Sequence, residues 1–183
     1  MITQFDEYKL LERVHNPFYK PAMVEWLEKM FDHSYKREWY STYHAFDIHG
    51  VISRPDYRKK GKEFNLNYYP YAKETLQYLT KYRPDMVLFL HTSSYPEEIE
   101  NYMEQFKSDG IHFKYINENP EISSASGCFG HYEKKPYFNS YFEDKAGFRP
   151  DRDWKPLYKY FINQKRLPDP NWEFKSDEEY HKK

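Results

Sequence analysis

The chain has 183 residues, long enough for one domain with a substantial core, and its charged residues cancel to a formal net charge of −1 at pH 7. This balance excludes a protein that attracts nucleic acid through its overall charge. Aromatic residues make up 21% of the sequence, so most of them must pack in or against the core, and some could instead stack on nucleobases.

Cys128 is the single cysteine, which excludes an internal disulfide framework and favours a reducing compartment. No apolar run is long enough to cross a membrane, and the first residues lack the basic and then apolar pattern of a signal peptide. We therefore expect a cytoplasmic protein with no membrane partner. The sequence leaves the oligomeric state open.

Residues 1 to about 42 are predicted to form a helical N-terminal extension. Pro21 suits the first position of a helix, and the apolar residues after it recur at helical spacing: Val24, Leu27, Met30 and Phe31. We expect this helix to pack on the core. A helix that binds a partner protein is the alternative.

The next segment, residues 43–52, is typical of a buried strand that runs out of apolar residues at Asp47 and turns at Gly50. The residues after it are rich in Lys and Arg and include Arg54 and Arg58. Residues 54–62 are therefore either a solvated loop or a basic flap that gathers a phosphate-bearing substrate.

Helices and strands alternate through the rest of the chain. The pattern predicts a helix from Pro70 to about residue 82, a buried strand over 86–90, a helix over 96–106, strands over 111–116 and 137–142, and a last helix that ends near residue 163. Residues 166–183 are predicted to be a charged C-terminal tail. This alternation predicts an α/β fold, a three-layer Rossmann-like parallel sheet with helices on both faces.

Side chains suited to chemistry follow three of the predicted strands. Asp47 follows the first, Thr92 and Ser93 follow the second, and Glu143 with Asp144 follows the last. Ligands of open α/β sheets bind beyond the carboxyl ends of the strands. Each of these residues alone could be a turn residue, a helix cap or a solvated acid, but their order on this alternation favours one common site.

At these residues the sequence resembles the haloacid dehalogenase (HAD) superfamily, whose members are mostly Mg²⁺-dependent phosphohydrolases. The resemblance covers about residues 43–160, and it implies a HAD-like domain over residues 43–165 with little or no cap, similar to small nucleotidases. Four short motifs carry it: Asp47-Ile48-His49-Gly50-Val51, then Leu90-His91-Thr92-Ser93, then the basic Lys135 or Lys134, and then Glu143-Asp144.

By this resemblance, Asp47 would be the nucleophile and would form an aspartyl-phosphate. Mg²⁺ would be held by Asp47, by the backbone carbonyl of His49 and by Asp144, with Glu143 acting directly or through a water.

The remaining roles concern the phosphoryl group. Thr92 would hydrogen-bond its oxygens, and Lys135 would neutralise their charge and keep Asp47 ionised. Further contacts to the substrate would come from four residues: Ser93, Arg54, Arg58 and Lys134.

His49 departs from the family, which has a second Asp at this position to protonate the leaving group and then activate water. An imidazole could take both roles. We therefore expect a phosphatase that acts on a phosphorylated substrate, with a nucleotide or a nucleic-acid end as the favoured class. The alternative is a non-catalytic or weakly active binding protein of the same fold that keeps a phosphate or metal pocket, and a structural module with an aromatic surface is a third interpretation.

Overall fold

The computed structural model describes residues 20–55, 65–122 and 135–167. Two of the predicted substrate contacts, Arg58 and Lys134, lie outside the described residues. So do the first 19 residues of the predicted N-terminal extension and residues 168–183 of the predicted tail.

Helices and parallel strands alternate along the described part of the chain, as the sequence predicts. The elements are α1 (Ala22–Lys36), β1 (Thr42–Phe46), α2 (Ala72–Tyr82), β2 (Met86–Leu90), α3 (Pro96–Ser108), β3 (Tyr115–Ile116), β4 (Ser140–Phe142), a 3-10 turn (Asp144–Ala146) and α4 (Pro150–Asn163). The strands form one sheet in the order β3-β2-β1-β4, and every pairing is parallel. The predicted α/β fold of Rossmann-like type is confirmed, and the described residues contain no inserted cap domain.

Strands β3 and β4 are shorter than predicted, because their hydrogen-bonded pairing with the neighbouring strand begins several residues later than expected. Of the predicted strand over 111–116, only Tyr115 and Ile116 pair with β2. Just before them, the N–H of Lys114 donates to the carbonyl of Leu88 at 2.8 Å. β4 starts at Ser140, and in front of it the Asn139 side chain accepts the N–H of Tyr43 at 2.8 Å. A side chain therefore replaces a backbone partner at the start of β4.

The main core lies on the sheet face that carries the even-numbered residues of β1, β2 and β4. Phe46 of β1 stacks on Phe142 of β4, with ring centroids 4.3 Å apart and planes 5° from parallel. Trp154 of α4 lies parallel to both rings at 6.2 Å, and its Nε1 donates to the carbonyl of Val51 at 2.8 Å. Such aromatic pairs contribute about 0.5–1.5 kcal/mol each beyond area burial. They attach α4 to the turn that follows β1.

Helix α1 packs on the same core, which is the arrangement expected for the N-terminal extension. Its buried apolar residues belong to one cluster with the strands and with α2, α3 and α4: Val24, Leu27, Met30 and Phe31. Within the described residues, no helix combines the length and the apolar character that crossing a bilayer requires.

The amino end of the sheet holds a buried polar network around His44. The two ring nitrogens of His44 face the hydroxyls of Thr42 at 2.8 Å and Ser140 at 2.7 Å. Arg83 and Asp85 form a buried ion pair nearby, with Nη2 and Oδ2 2.7 Å apart. Burial and, to a lesser degree, the positive charge of Arg83 lower the pKa of His44 to about 3. His44 is therefore neutral in the folded protein.

This shift predicts a pH dependence of stability. The unfolded chain binds a proton at His44 below about pH 6.5, whereas the folded chain does so only near pH 3. The contribution of His44 is thus complete above pH 6.5 and is lost as the pH falls toward 3, at about 1.4 kcal/mol per unit. In His44→Asn, the free energy of unfolding should drop by about 1–3 kcal/mol at neutral pH, and its deficit relative to wild type should shrink steadily below pH 6.5.

Urea denaturation over a pH series measures this deficit. His112→Asn is the matched control, because His112 is exposed and its replacement should leave the slope unchanged. A deficit in His44→Asn that stays constant from pH 7 to pH 4 would contradict the assignment.

Candidate active site

Three carboxylates meet at the carboxyl end of the sheet. Asp47 directly follows β1, while Glu143 and Asp144 directly follow β4. The two strands are neighbours, and the N–H of Asp47 donates to the carbonyl of Phe142 at 3.0 Å. One carboxylate oxygen from each of the three residues lies within 4.8 Å of the others. Residues almost a hundred positions apart are therefore close enough to share one cation.

The pKa values of the two buried carboxylates, Asp47 and Glu143, are shifted in opposite directions. Burial, and then the negative charge of Glu143, raise the pKa of Asp47, while the Ile48 backbone and the Thr92 hydroxyl act in the opposite direction. Burial alone would also raise the pKa of Glu143. Hydrogen bonds from the Tyr141 hydroxyl, at 2.6 Å, and from neighbouring groups overcome this effect and lower it. The ionised form of Asp47 is thus disfavoured in the cluster, and a bound cation would stabilise it.

Gly50 provides the space in which Asp144 sits. Its φ is +81°, a backbone angle that residues with a side chain rarely adopt. A Cβ at this position would also lie 2.5 Å from Oδ2 of Asp144. Any other residue would displace that carboxylate. Mg²⁺ prefers a few carboxylate oxygens completed by water and phosphate oxygens, so the donor set of this turn fits the ion. The backbone carbonyl of His49 stays a predicted ligand.

Lys145, which the sequence analysis did not single out, lies beside the carboxylates. Nζ of Lys145 lies 3.4 Å from Oε1 of Glu143 and 3.6 Å from Oδ1 of Asp144. Its side chain is 82% exposed, so these ion pairs are weak and easily exchanged. Lys135 is exposed, and its role at the phosphoryl group stays a prediction.

Asn117 holds the backbone of Thr92 in the turn after β2. The Thr92 hydroxyl lowers the pKa of the Asp47 carboxyl and lies 3.1 Å from the hydroxyl of Ser94. The Asn117 side chain accepts the Thr92 N–H at 2.8 Å and donates to the Thr92 carbonyl at 2.9 Å. Ser93, on the same turn, is exposed. Asn117 follows β3, so its position at a strand end was the signal that could have identified it.

The imidazole of His49 is positioned by a contact with Tyr102 of α3. Its Nε2 lies 2.9 Å from the hydroxyl of Tyr102, and the two rings meet edge to face with centroids 5.5 Å apart. Burial, aided by the negative charge of Glu98, raises the pKa of Tyr102 to about 12. The phenol therefore keeps its proton and can donate it to Nε2. No sequence pattern indicated this partner.

Arg54, a predicted substrate contact, is engaged elsewhere. Its guanidinium lies 3.4 Å from Asp151 of α4 and 5.0 Å from the ring centre of Tyr69. Tyr141, by contrast, was missed as a site residue. It stands two positions before Glu143, and alternation along a strand places such residues on the same face.

Comparison with known proteins gives little for function. No family model matches the sequence, and no curated protein matches it. Among solved structures, it is similar to a conserved protein from Bacteroides thetaiotaomicron at 23% identity and a TM-score of 0.49, over 68% of this chain and 93% of that one. This likeness is too remote to carry an argument about activity.

The geometry of Gly50 predicts the effect of adding a methyl group. Gly50→Ala should cost about 1–3 kcal/mol of stability through its positive φ and should also displace Asp144. Added Mg²⁺ raises the melting temperature of a protein that binds it in the folded state. We expect this rise in wild type and a loss of most of it in Gly50→Ala.

Gly110→Ala is the matched control. Gly110 also has a positive φ, +72°, but nothing lies within 4 Å of a Cβ there. That variant should lose stability yet keep the full response to Mg²⁺. An unchanged Mg²⁺ response in Gly50→Ala would remove Asp144 from the metal set.

Proposed function

We propose that this protein is a Mg²⁺-dependent phosphomonoesterase of HAD type, with Asp47 as the nucleophile and the phosphate of a nucleotide or nucleic-acid end as the favoured substrate. The observation that carries the proposal is the convergence of Asp47, Glu143 and Asp144 within 4.8 Å at the ends of adjacent parallel strands. Buried like charges are costly unless a cation compensates them. A cluster of this kind is therefore a functional feature more readily than a stabilising one.

In the proposed reaction, an oxygen of Asp47 attacks phosphorus and the ester P–O bond breaks. The departing alkoxide takes a proton from the imidazolium form of His49, which becomes the neutral imidazole, and Asp47 is left as an aspartyl-phosphate. Water then attacks phosphorus while His49 takes up its proton. The P–O bond to Asp47 breaks, inorganic phosphate leaves, and both residues return to their starting states.

Three residues would hold the magnesium ion: Asp47, Asp144 and, through its backbone carbonyl, His49, with Glu143 supporting them. When bound, the ion would supply positive charge against the phosphoryl oxygens. Thr92 is fixed by Asn117 and can donate its hydroxyl proton to one of these oxygens. The neutralising role that the sequence assigned to Lys135 suits Lys145 better, because Lys145 lies beside the carboxylates and is free to move in solvent.

A non-catalytic protein that binds phosphate or metal at the same pocket is the second candidate. The hydrogen bond between Nε2 of His49 and Tyr102 favours it, because this contact occupies a nitrogen that proton transfer could use. The other ring nitrogen would then have to carry the proton. Mg²⁺ binding without turnover of any phosphate ester would select this candidate.

The nucleophile is tested with a generic aryl phosphate in the presence of Mg²⁺. Asp47→Asn keeps the size of the side chain but removes the attacking charge, so turnover should fall by about three orders of magnitude or more. Asp32→Asn is the control, because Asp32 is an exposed carboxylate on α1 and its loss should change nothing. Equal rates in wild type and Asp47→Asn would exclude the role of Asp47.

The acid and base role of His49 is tested with two leaving groups. His49→Ala should lose about 10²–10⁴ in rate on an alkyl phosphate, whose alkoxide needs a proton to leave. The loss should be smaller on an aryl phosphate with a good leaving group. His49→Asp should retain or raise activity on both. If His49→Ala matches wild type on the alkyl ester, the imidazole has no part in the reaction.

A further inference from the structure

A groove of about 740 Å³ runs along the outer edge of β4, between α1 and the start of α4. Its wall includes Tyr141 and Ala146, which stand on either side of the two acids that follow β4. The hydroxyl of Tyr141 lies 2.6 Å from Oε2 of Glu143. Through Tyr141 the groove adjoins the carboxylate cluster, and a substrate held at the cluster could extend into it.

The aromatic wall of the groove contains an anchored and exposed indole. Trp26 of α1 is 51% exposed, although its Nε1 donates to the carbonyl of Asn139 at 2.9 Å. The hydrogen bond orients the ring, and its faces, rather than its N–H, remain for a ligand. Phe138 also lines the groove. The indole face of Trp26 and the ring of Phe138 thus give the groove aromatic surface on which bases could stack.

Basic side chains line the same groove. Lys20, Arg149 and Arg152 all contribute to the wall, and the exposed Lys145 lies at the adjoining cluster. Lys20 is paired with Glu28. Asp153 also lines the groove, but it is buried and its carboxylate accepts the N–H of Arg149 at 2.8 Å. This bond stabilises the start of α4. The guanidinium nitrogens of Arg152 are buried, so the positive charge that the lining presents to a ligand comes from the exposed Arg149 and from Lys20.

We propose that this groove binds a single strand of nucleic acid, whose terminal phosphate lies at the carboxylate cluster. Nucleic-acid single strands are recognised by cations that follow the backbone and by aromatic faces on which bases stack, and both are present here. A phosphopeptide would use the cations but has no need of an indole face. This inference rests on the proposed phosphatase function and extends it by naming a polynucleotide, rather than a small phosphate ester, as the substrate class.

Binding is measured by fluorescence anisotropy with labelled DNA and RNA of about eight nucleotides, on the full chain carrying Asp47→Asn so that the terminal phosphate is retained. Trp26→Ala in this background should weaken binding about tenfold, as for the loss of one stacked base. Trp26→Phe should recover part of the affinity. Arg149→Ala should weaken binding and reduce the dependence on salt by about one charge.

Two control variants keep the test specific. Tyr40→Ala removes an aromatic ring of similar exposure, 50%, that does not line the groove. Lys107→Ala removes an exposed basic residue at the end of α3. Both should bind the oligonucleotides as the Asp47→Asn parent does, and melting curves of every variant check that the chain is folded.

The outcomes separate this inference from the proposed function. If wild type hydrolyses an aryl phosphate but the Asp47→Asn chain binds no oligonucleotide, or binds it equally well after Trp26→Ala and Arg149→Ala, the groove proposal is wrong and the phosphatase proposal stands. Displacement of the oligonucleotide by a phosphopeptide at similar concentration would also overturn it. Binding that depends on Trp26, without turnover of any phosphate ester, would support the groove and contradict the phosphatase.

Discussion

The hydrogen bond from the N–H of Asp47 to the carbonyl of Phe142 joins two strands at the point where both end. On the other side of β1, the N–H of His91 donates to the carbonyl of Phe46 at 2.8 Å. These bonds set the register, and a slip by one residue would turn every side chain of β1 to the opposite face. The stacked rings of Phe46, Phe142 and Trp154 oppose such a slip, because they fit only in this register. The positions of the three carboxylates depend on it.

The two ends of the sheet treat buried polar groups differently. At the amino end, His44 lies between two hydroxyls, and Asp85 pairs with Arg83 and also accepts the N–H of Leu167 at 3.0 Å. Most polar groups there compensate one another. At the carboxyl end, the acids outnumber the nearby cations, and Lys145 is largely in solvent. The carboxylates at the carboxyl end therefore lower the stability of the fold, and the candidate chemistry lies at that end.

The neighbourhood of the carboxylates also explains why small residues and backbone contacts matter in it. Gly50 leaves room for Asp144, Asn117 clamps the turn of Thr92 from the neighbouring strand, and Trp154 binds the carbonyl of Val51 from α4. None of these groups needs to touch a substrate. Together they hold the turns after three strands rigidly, which is the condition for placing reactive groups to within a fraction of an ångström.

Periodicity, and the polar residues that follow apolar runs, were enough to predict the alternating fold. They also placed four residues at the carboxyl ends of the strands of a parallel sheet: Asp47, Thr92, Glu143 and Asp144. That inference succeeds because strand spacing and strand direction are local properties, and parallel strands bring their ends together. Local pattern could not choose Lys145 over Lys135, pair His49 with Tyr102, or bring Trp26 beside Asn139. Those contacts join residues through the packing of α1 and α3 on the sheet and through the shape of a turn. They depend on how whole elements meet in space, and no spacing along the chain encodes that.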